Sequence, residues 1–247
     1  MFNKRHIVRT IAATVSILAL SFTAACGSGQ STASNSTDSD DITQQTYKPG
    51  KLTIATGQPA YEPWVMNDKP ESGEGYEAAV AYAVADKLGF KKSDVVWTRT
   101  AFDTAIAPGA KDWDFNIQQF GITDERKKAV DFSSSYYNDS QSVVVKKDSK
   151  FANATKVSDL KDATVGVMVG TLAYDYAKAN IKDDIQTFND DAALAQALDA
   201  GQIDALVTST VECVYMVQSE QVKDAKVLGR LPDSEDKSGM GIVLPKD

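Results

Sequence analysis

The chain has 247 residues, 43% hydrophobic and 24% charged, the balance of a soluble globular protein with room for one or two domains. Its 26 basic and 34 acidic side chains give a net charge of −8, the wrong sign for gripping phosphates, so nucleic acid is excluded as a partner. The single histidine is His6 and the two cysteines are Cys26 and Cys213, which excludes His-based triads and structural zinc sites, so no metal and no cofactor are expected.

Residues 1–25 read as an export signal. Lys4, Arg5 and Arg9 form a basic start, and an apolar stretch over 11–22 ends in Ala24, Ala25 and Cys26. The apolar run is too short for a stable membrane span. Small-small-Cys resembles the lipobox of bacterial lipoproteins, with Thr23 where Leu is usual. The resemblance implies that Cys26 is diacylated, palmitate-like chains included, and becomes the mature N-terminus; two acyl chains suffice for anchoring. The alternative is a plain secretory signal cleaved near Ala25. Residues 26–47 then form a flexible tether, rich in Gly, Ser, Thr and Asp through Asp41. Loss of the signal removes three basic and no acidic side chains, so −8 becomes −11. Cys213, left alone, reads as a small buried apolar residue.

From Lys51 onward, short apolar runs alternate with helical patterns. Strands are expected at 52–56, 95–97, 114–118 and 141–147, with a helix over 75–88 stopped by Gly89. A short helix starting at Thr123 as N-cap carries Asp124 and Glu125 in its first turn. A second series follows: strand 164–168, a Gly170-Thr171 turn into a helix over 172–180, strand 185–188, helix 190–200 before Gly201, strand 203–207, a helix through about 219, then strands at 226–229 and 240–244. Alternation of this kind predicts an α/β fold with mostly parallel sheets. Two series predict two lobes. A ligand between them would meet loops that follow strands in both.

The most specific stretch is Phe115-Asn-Ile-Gln-Gln-Phe-Gly-Ile-Thr-Asp-Glu-Arg126, followed by Asp131-Phe-Ser133 and Tyr136-Tyr137. A strand ends near Gln119, a glycine turn follows, and Arg126 falls in the first turn of the next helix. A guanidinium beside free backbone N–H groups suits a carboxylate. The alternative is a surface arginine paired with Asp124, Glu125 or Asp131.

The pattern Ile-Thr-x-Glu-Arg … Asp-Phe-Ser-x-x-Tyr-Tyr resembles the amino-acid-type (family 3) substrate-binding proteins of ABC importers. The resemblance spans about 51–247. It continues in order through Gly57, Tyr61-Glu-Pro-Trp64, Gly75-Tyr-Glu77, Asp159-Leu-Lys161, Val165-Gly-Val167, Val169-Gly-Thr171 and Gly201-Gln-Ile-Asp-Ala205. It implies a two-lobed periplasmic-binding-protein-like fold (type II), with a ligand cleft between lobes and a two-strand hinge near 139–143 and 234–240. Lobe 1 is then 48–140 plus 236–247, and lobe 2 is 141–235. By the same resemblance Arg126 binds a ligand α-carboxylate. Gln119, Gly121 and Thr123 line the site. Gly170, Thr171 and Leu172 approach from the second lobe. Tyr61, Trp64 and Phe102 form aromatic walls, with core packing the alternative for Trp64 and Phe102.

Three departures stand out. Gly121 replaces a usual Ser. Ser209 stands where the family commonly has the Asp that meets the ligand ammonium, so Ser209 or Glu212 is expected to contact the ligand's cationic end. The family pattern also continues past the last strand with a helix, whereas this chain ends at Asp247, through truncation or through a different docking of lobe 1. The function implied is an extracytoplasmic solute-binding lipoprotein. It captures a small polar solute, an amino acid or related carboxylate, by hinge closure. A monomer, anchored on the outer face of the cell membrane, delivers it to ABC permease subunits. Two alternatives are a ligand sensor and a same-fold dehydratase acting on prephenate-like acids. No two carboxylates have a spacing that pairs them for catalysis.

Overall fold

The computed structural model describes residues 41–246. The signal, Cys26 and the tether through Asp40 lie outside the described residues. Two five-stranded sheets share one topology. In the first, the order is β2 (Val95–Arg99), β1 (Leu52–Thr56), β3 (Phe115–Asn116), β10 (Met240–Leu244), β4 (Asp131–Tyr137). In the second it is β7 (Gln186–Phe188), β6 (Val165–Met168), β8 (Ala205–Ser209), β5 (Gln141–Lys146), β9 (Ala225–Arg230).

The sheets are mixed rather than mostly parallel. β1 pairs in parallel with β2 and β3, and β6 with β7 and β8, while β10 and β5 run antiparallel to both of their neighbours. The reason is connectivity. Residues 138–140 carry the chain from the first sheet into the second, and residues 231–239 carry it back. The strand entered from each crossing, β5 or β10, must run away from it. The other four strands of each sheet run toward it, which brings eight carboxyl ends to one cleft.

The crossings are irregular segments, not strands, and they bond to each other. Leu231 N–H donates to the Gln141 carbonyl at 2.8 Å and Asp236 N–H to the Asp139 carbonyl at 2.9 Å. Buried Ser234 accepts from Gln141 N–H at 3.0 Å and lies 2.7 Å from the Leu231 carbonyl.

Helices cover the sheets. α1 (Tyr76–Lys87) buries Ala78, Ala81 and Ala85, and small side chains let it pack closely on Leu52, Ile54 and Phe115. Its entry is forced at Gly75, where φ is +101° and a β-carbon would stand 2.4 Å from the Trp64 carbonyl oxygen. In the second sheet the valine run of β5 is buried on both faces, Val143 and Val145 on one and Val144 on the other. There α3 (Leu172–Asn180), α4 (Asp191–Asp199) and α5 (Thr210–Gln218) pack on those faces, with Cys213 fully buried in the core. The sequence signals do not anticipate β4, which is serine-rich and without alternation, or the short α2 (Phe102–Ile106). The helix expected at Thr123 is a single turn, Arg126–Lys128. Among the described residues no helix is long and apolar enough to cross a membrane.

Candidate functional site

The loops at those carboxyl ends enclose a cleft of about 650 Å³, counting the part open to solvent. Tyr61, Phe102, Gln118, Gln119, Gly121 and Arg126 line it from the first sheet. Met168, Thr171, Leu172, Asp191, Thr208, Ser209 and Glu212 line it from the second, and Asp139 and Asp236 from the crossings.

Arg126 holds one end. Thr123 Oγ1 accepts from its backbone N–H at 3.1 Å, which fixes the turn. Its guanidinium donates to the Gly121 carbonyl at 2.7 Å and, across the cleft, to the Gly170 carbonyl at 2.9 Å. The guanidinium carbon lies 5.5 Å from the Phe102 ring centre, and that ring stacks on Phe120 at 4.5 Å. Burial pulls its pKa below the ordinary range, with Asp175 and Asp236 opposing. The surface pairing considered above does not form. Asp124, Glu125 and Asp131 pair with Lys127, Lys128 and Lys246. Among the described residues no carboxylate lies in ion-pair contact with Arg126; its hydrogen bonds go to neutral carbonyls, and Asp175 and Asp236 act on it only from farther off.

The cleft floor is set by a buried acid. Glu77, on α1 and fully buried, accepts from Gln119 N–H at 2.8 Å, from the Gln119 side chain and from the Tyr136 hydroxyl. These bonds hold Gln119 at φ +52°, a conformation unusual for glutamine. Burial raises the Glu77 pKa to about 7 against the hydrogen bonds. Next in the loop, Ile122 N–H and the Phe120 carbonyl bond to Gly239 and Gly241, tying the loop to the returning crossing.

At the other end two carboxylates meet, contrary to the expectation from spacing. Thr208 Oγ1 lies 2.8 Å from Glu212 Oε2 and 3.3 Å from Asp191 Oδ1. One hydroxyl proton cannot serve both, so a proton retained on the acid pair satisfies the group. Burial raises Asp191 to about 6 and pushes Glu212 well above its ordinary value, each helped by a neighbouring acid. Tyr61 covers this end, its hydroxyl 3.5 Å from Ala192 N–H in the opposite lobe.

Of the expected site residues, nine line the cleft: Tyr61, Phe102, Gln119, Gly121, Arg126, Thr171, Leu172, Ser209 and Glu212. The Thr171 hydroxyl caps α3 by accepting from Tyr174 N–H at 3.2 Å. Ser209 caps α5 likewise, 3.5 Å from Glu212 N–H. Gly170 reaches the site through its carbonyl. Trp64 does not line it: it is 1% exposed and packs edge-on against Tyr76 and Tyr137. Thr123 acts behind Arg126. The sequence reading missed Gln118, Asp139, Asp191, Thr208 and Asp236. Asp191 carried a usable signal, since it follows a strand end and opens a helix.

The family description "Bacterial extracellular solute-binding proteins, family 3" matches residues 52–207. An L-arginine-binding protein of Pseudomonas aeruginosa is 28% identical over 214 residues, covering 81% of this chain and 76% of the relative. A glutamine-binding protein of Geobacillus stearothermophilus is 32% identical over 225 residues, covering 83% and 82%. A solved substrate-binding protein of an amino acid ABC transporter superposes with TM-score 0.64 at 30% identity, over 80% of this chain and 86% of that one.

Proposed function

The chain belongs to the bacterial extracellular solute-binding proteins of family 3, and on that basis we propose that it captures an amino acid with a cationic side chain. The observation that carries the reading is the charge map of the cleft: one guanidinium, Arg126, and four carboxylates, Asp139, Asp191, Glu212 and Asp236. Arg126 suits a ligand carboxylate, since among the described residues no acid is in direct ion-pair contact with its guanidinium. The acids suit ammonium or guanidinium groups, because a buried carboxylate without a cation is costly. Contacts from both lobes favour the closed form, so ligand shifts the population toward it. The closed protein, a monomer held to the membrane by acyl chains on Cys26, then delivers the ligand to an ABC permease.

A thermal-shift panel of the common amino acids plus ornithine tests this. L-lysine, L-arginine or ornithine at 100 times its Kd should add about 2.7 kcal/mol, a Tm rise of roughly 5–10 °C. Stabilisation by acidic or neutral solutes alone would refute it. Cys26→Ser should release the protein from the membrane fraction. The enzyme alternative draws on the Asp191–Glu212 pair, two carboxyls that burial holds above their ordinary pKa range; incubation with prephenate or arogenate should give no aromatic product.

A further inference from the structure

Ser209 leaves a question of charge. At the end of β8 it stands where the family resemblance implies an acid that meets a ligand ammonium. In this chain β5 pairs with β8 so that Gln141 stands opposite Ser209. Two residues before Gln141, in the first crossing, is Asp139. Its carboxyl lies near the Ser209 hydroxyl and the backbone of Ser140 and Thr210, the Thr210 N–H itself donating to the Ser140 carbonyl at 2.8 Å. It lines the cleft, is only 8% exposed, and its Oδ2 has no hydrogen-bond partner. No lysine or arginine is in ion-pair contact with it among the described residues. Burial raises its pKa, and Asp236 across the paired crossings adds to the rise.

We infer that Asp139 is the ammonium partner of the ligand, the negative charge having moved from the head of α5 to the adjoining crossing. The inference rests on the reading of the cleft as an amino-acid site. Glu212, the earlier candidate, is committed to Thr208 and shares its pocket with Asp191. That pair lies beneath Tyr61 and meets the ligand's side chain. Asp139 and Arg126 line the same cleft. Asp139 is an electrostatic neighbour of Asp236, which Arg126 influences, and of Glu212, so an α-ammonium next to a carboxylate held by Arg126 falls within its reach. Because Asp139 belongs to a crossing, an ammonium bound there also ties the ligand to the segment that bends on closure.

Calorimetry with four probes tests the assignment: L-lysine, L-arginine, and their counterparts without the α-ammonium, 6-aminohexanoic acid and 5-guanidinopentanoic acid. Wild type should prefer the amino acid over its counterpart by about 30-fold or more. Asp139→Asn should weaken the amino acid by a similar factor and the counterpart by less than about threefold. Adding Ser209→Asp to that variant should restore about tenfold or more, since aspartate also caps a helix. Asp139→Ser gives the same readout should the asparagine variant fail to fold. A variant that keeps the wild-type preference, or weakens both probes equally, overturns the assignment. If wild type binds none of the four, the proposed function itself fails first.

Discussion

Gly121 and Leu172 meet across the cleft so closely that a β-carbon on the glycine would stand 2.5 Å from Leu172 Cδ1 and 2.8 Å from Asp236 Oδ2. The serine that the family resemblance implies there would have to push the Leu172 and Asp236 side chains aside. Gly121→Ala should therefore oppose closure and weaken ligand binding about tenfold. Adding Leu172→Ala should recover most of the loss. Calorimetry on the single and double variants reads the coupling, and a simple sum of effects would mean the contact is not felt.

Arg126 is half-buried with no acid in direct ion-pair contact among the described residues, so its removal should separate binding from stability. Arg126→Met should weaken ligand binding by about 100-fold or more. The unliganded protein should change its Tm by less than about 3 °C, because burial disfavours the charge even in the native state. Calorimetry and melting curves together check this; a large Tm drop would mark Arg126 as structural.

Glu77 and Asp191 hold their protons more tightly in the folded chain than in the unfolded one, with values near 7 and 6 against 4.5 and 3.8, and Glu212 shifts the same way. A raised carboxyl contributes its stability fully below the unfolded value and loses it as pH climbs through the folded one. The unliganded protein should thus melt at least about 5 °C higher at pH 5 than at pH 8. Glu77→Gln should flatten the upper part of that profile. Binding runs the other way: affinity for L-lysine should fall as pH drops below about 6, where Asp191 takes up its proton. Scanning calorimetry and titrations across this range read both slopes.

Ser234 pins the two crossings. Ser234→Ala removes its hydrogen bonds to Gln141 and Leu231 and leaves Gln141 N–H buried without that acceptor. The expected cost is about 1–3 kcal/mol in urea unfolding. The open–closed balance should shift as well, measurable as a change in the radius of gyration without ligand.

The order of strands and helices was legible in the sequence because each apolar run from Leu52 to Leu244 carries its own period and its own stop. Gly89 and Gly201 end helices, while Thr171, Asp190 and Ser209 cap them. β4 was not legible: its serines give no alternation, and only pairing with β10 makes it a strand. Arg126 was legible because its neighbours form a local motif. Asp139 and Asp236 were not. Their meaning depends on two crossings, remote in sequence, lying side by side, and on burial that strips water from their carboxylates. Local chemistry determined where the chain turns and what could grip an acid. Tertiary structure alone decided which charges face one another, because the field at a carboxylate is set by neighbours that the chain brings from far away.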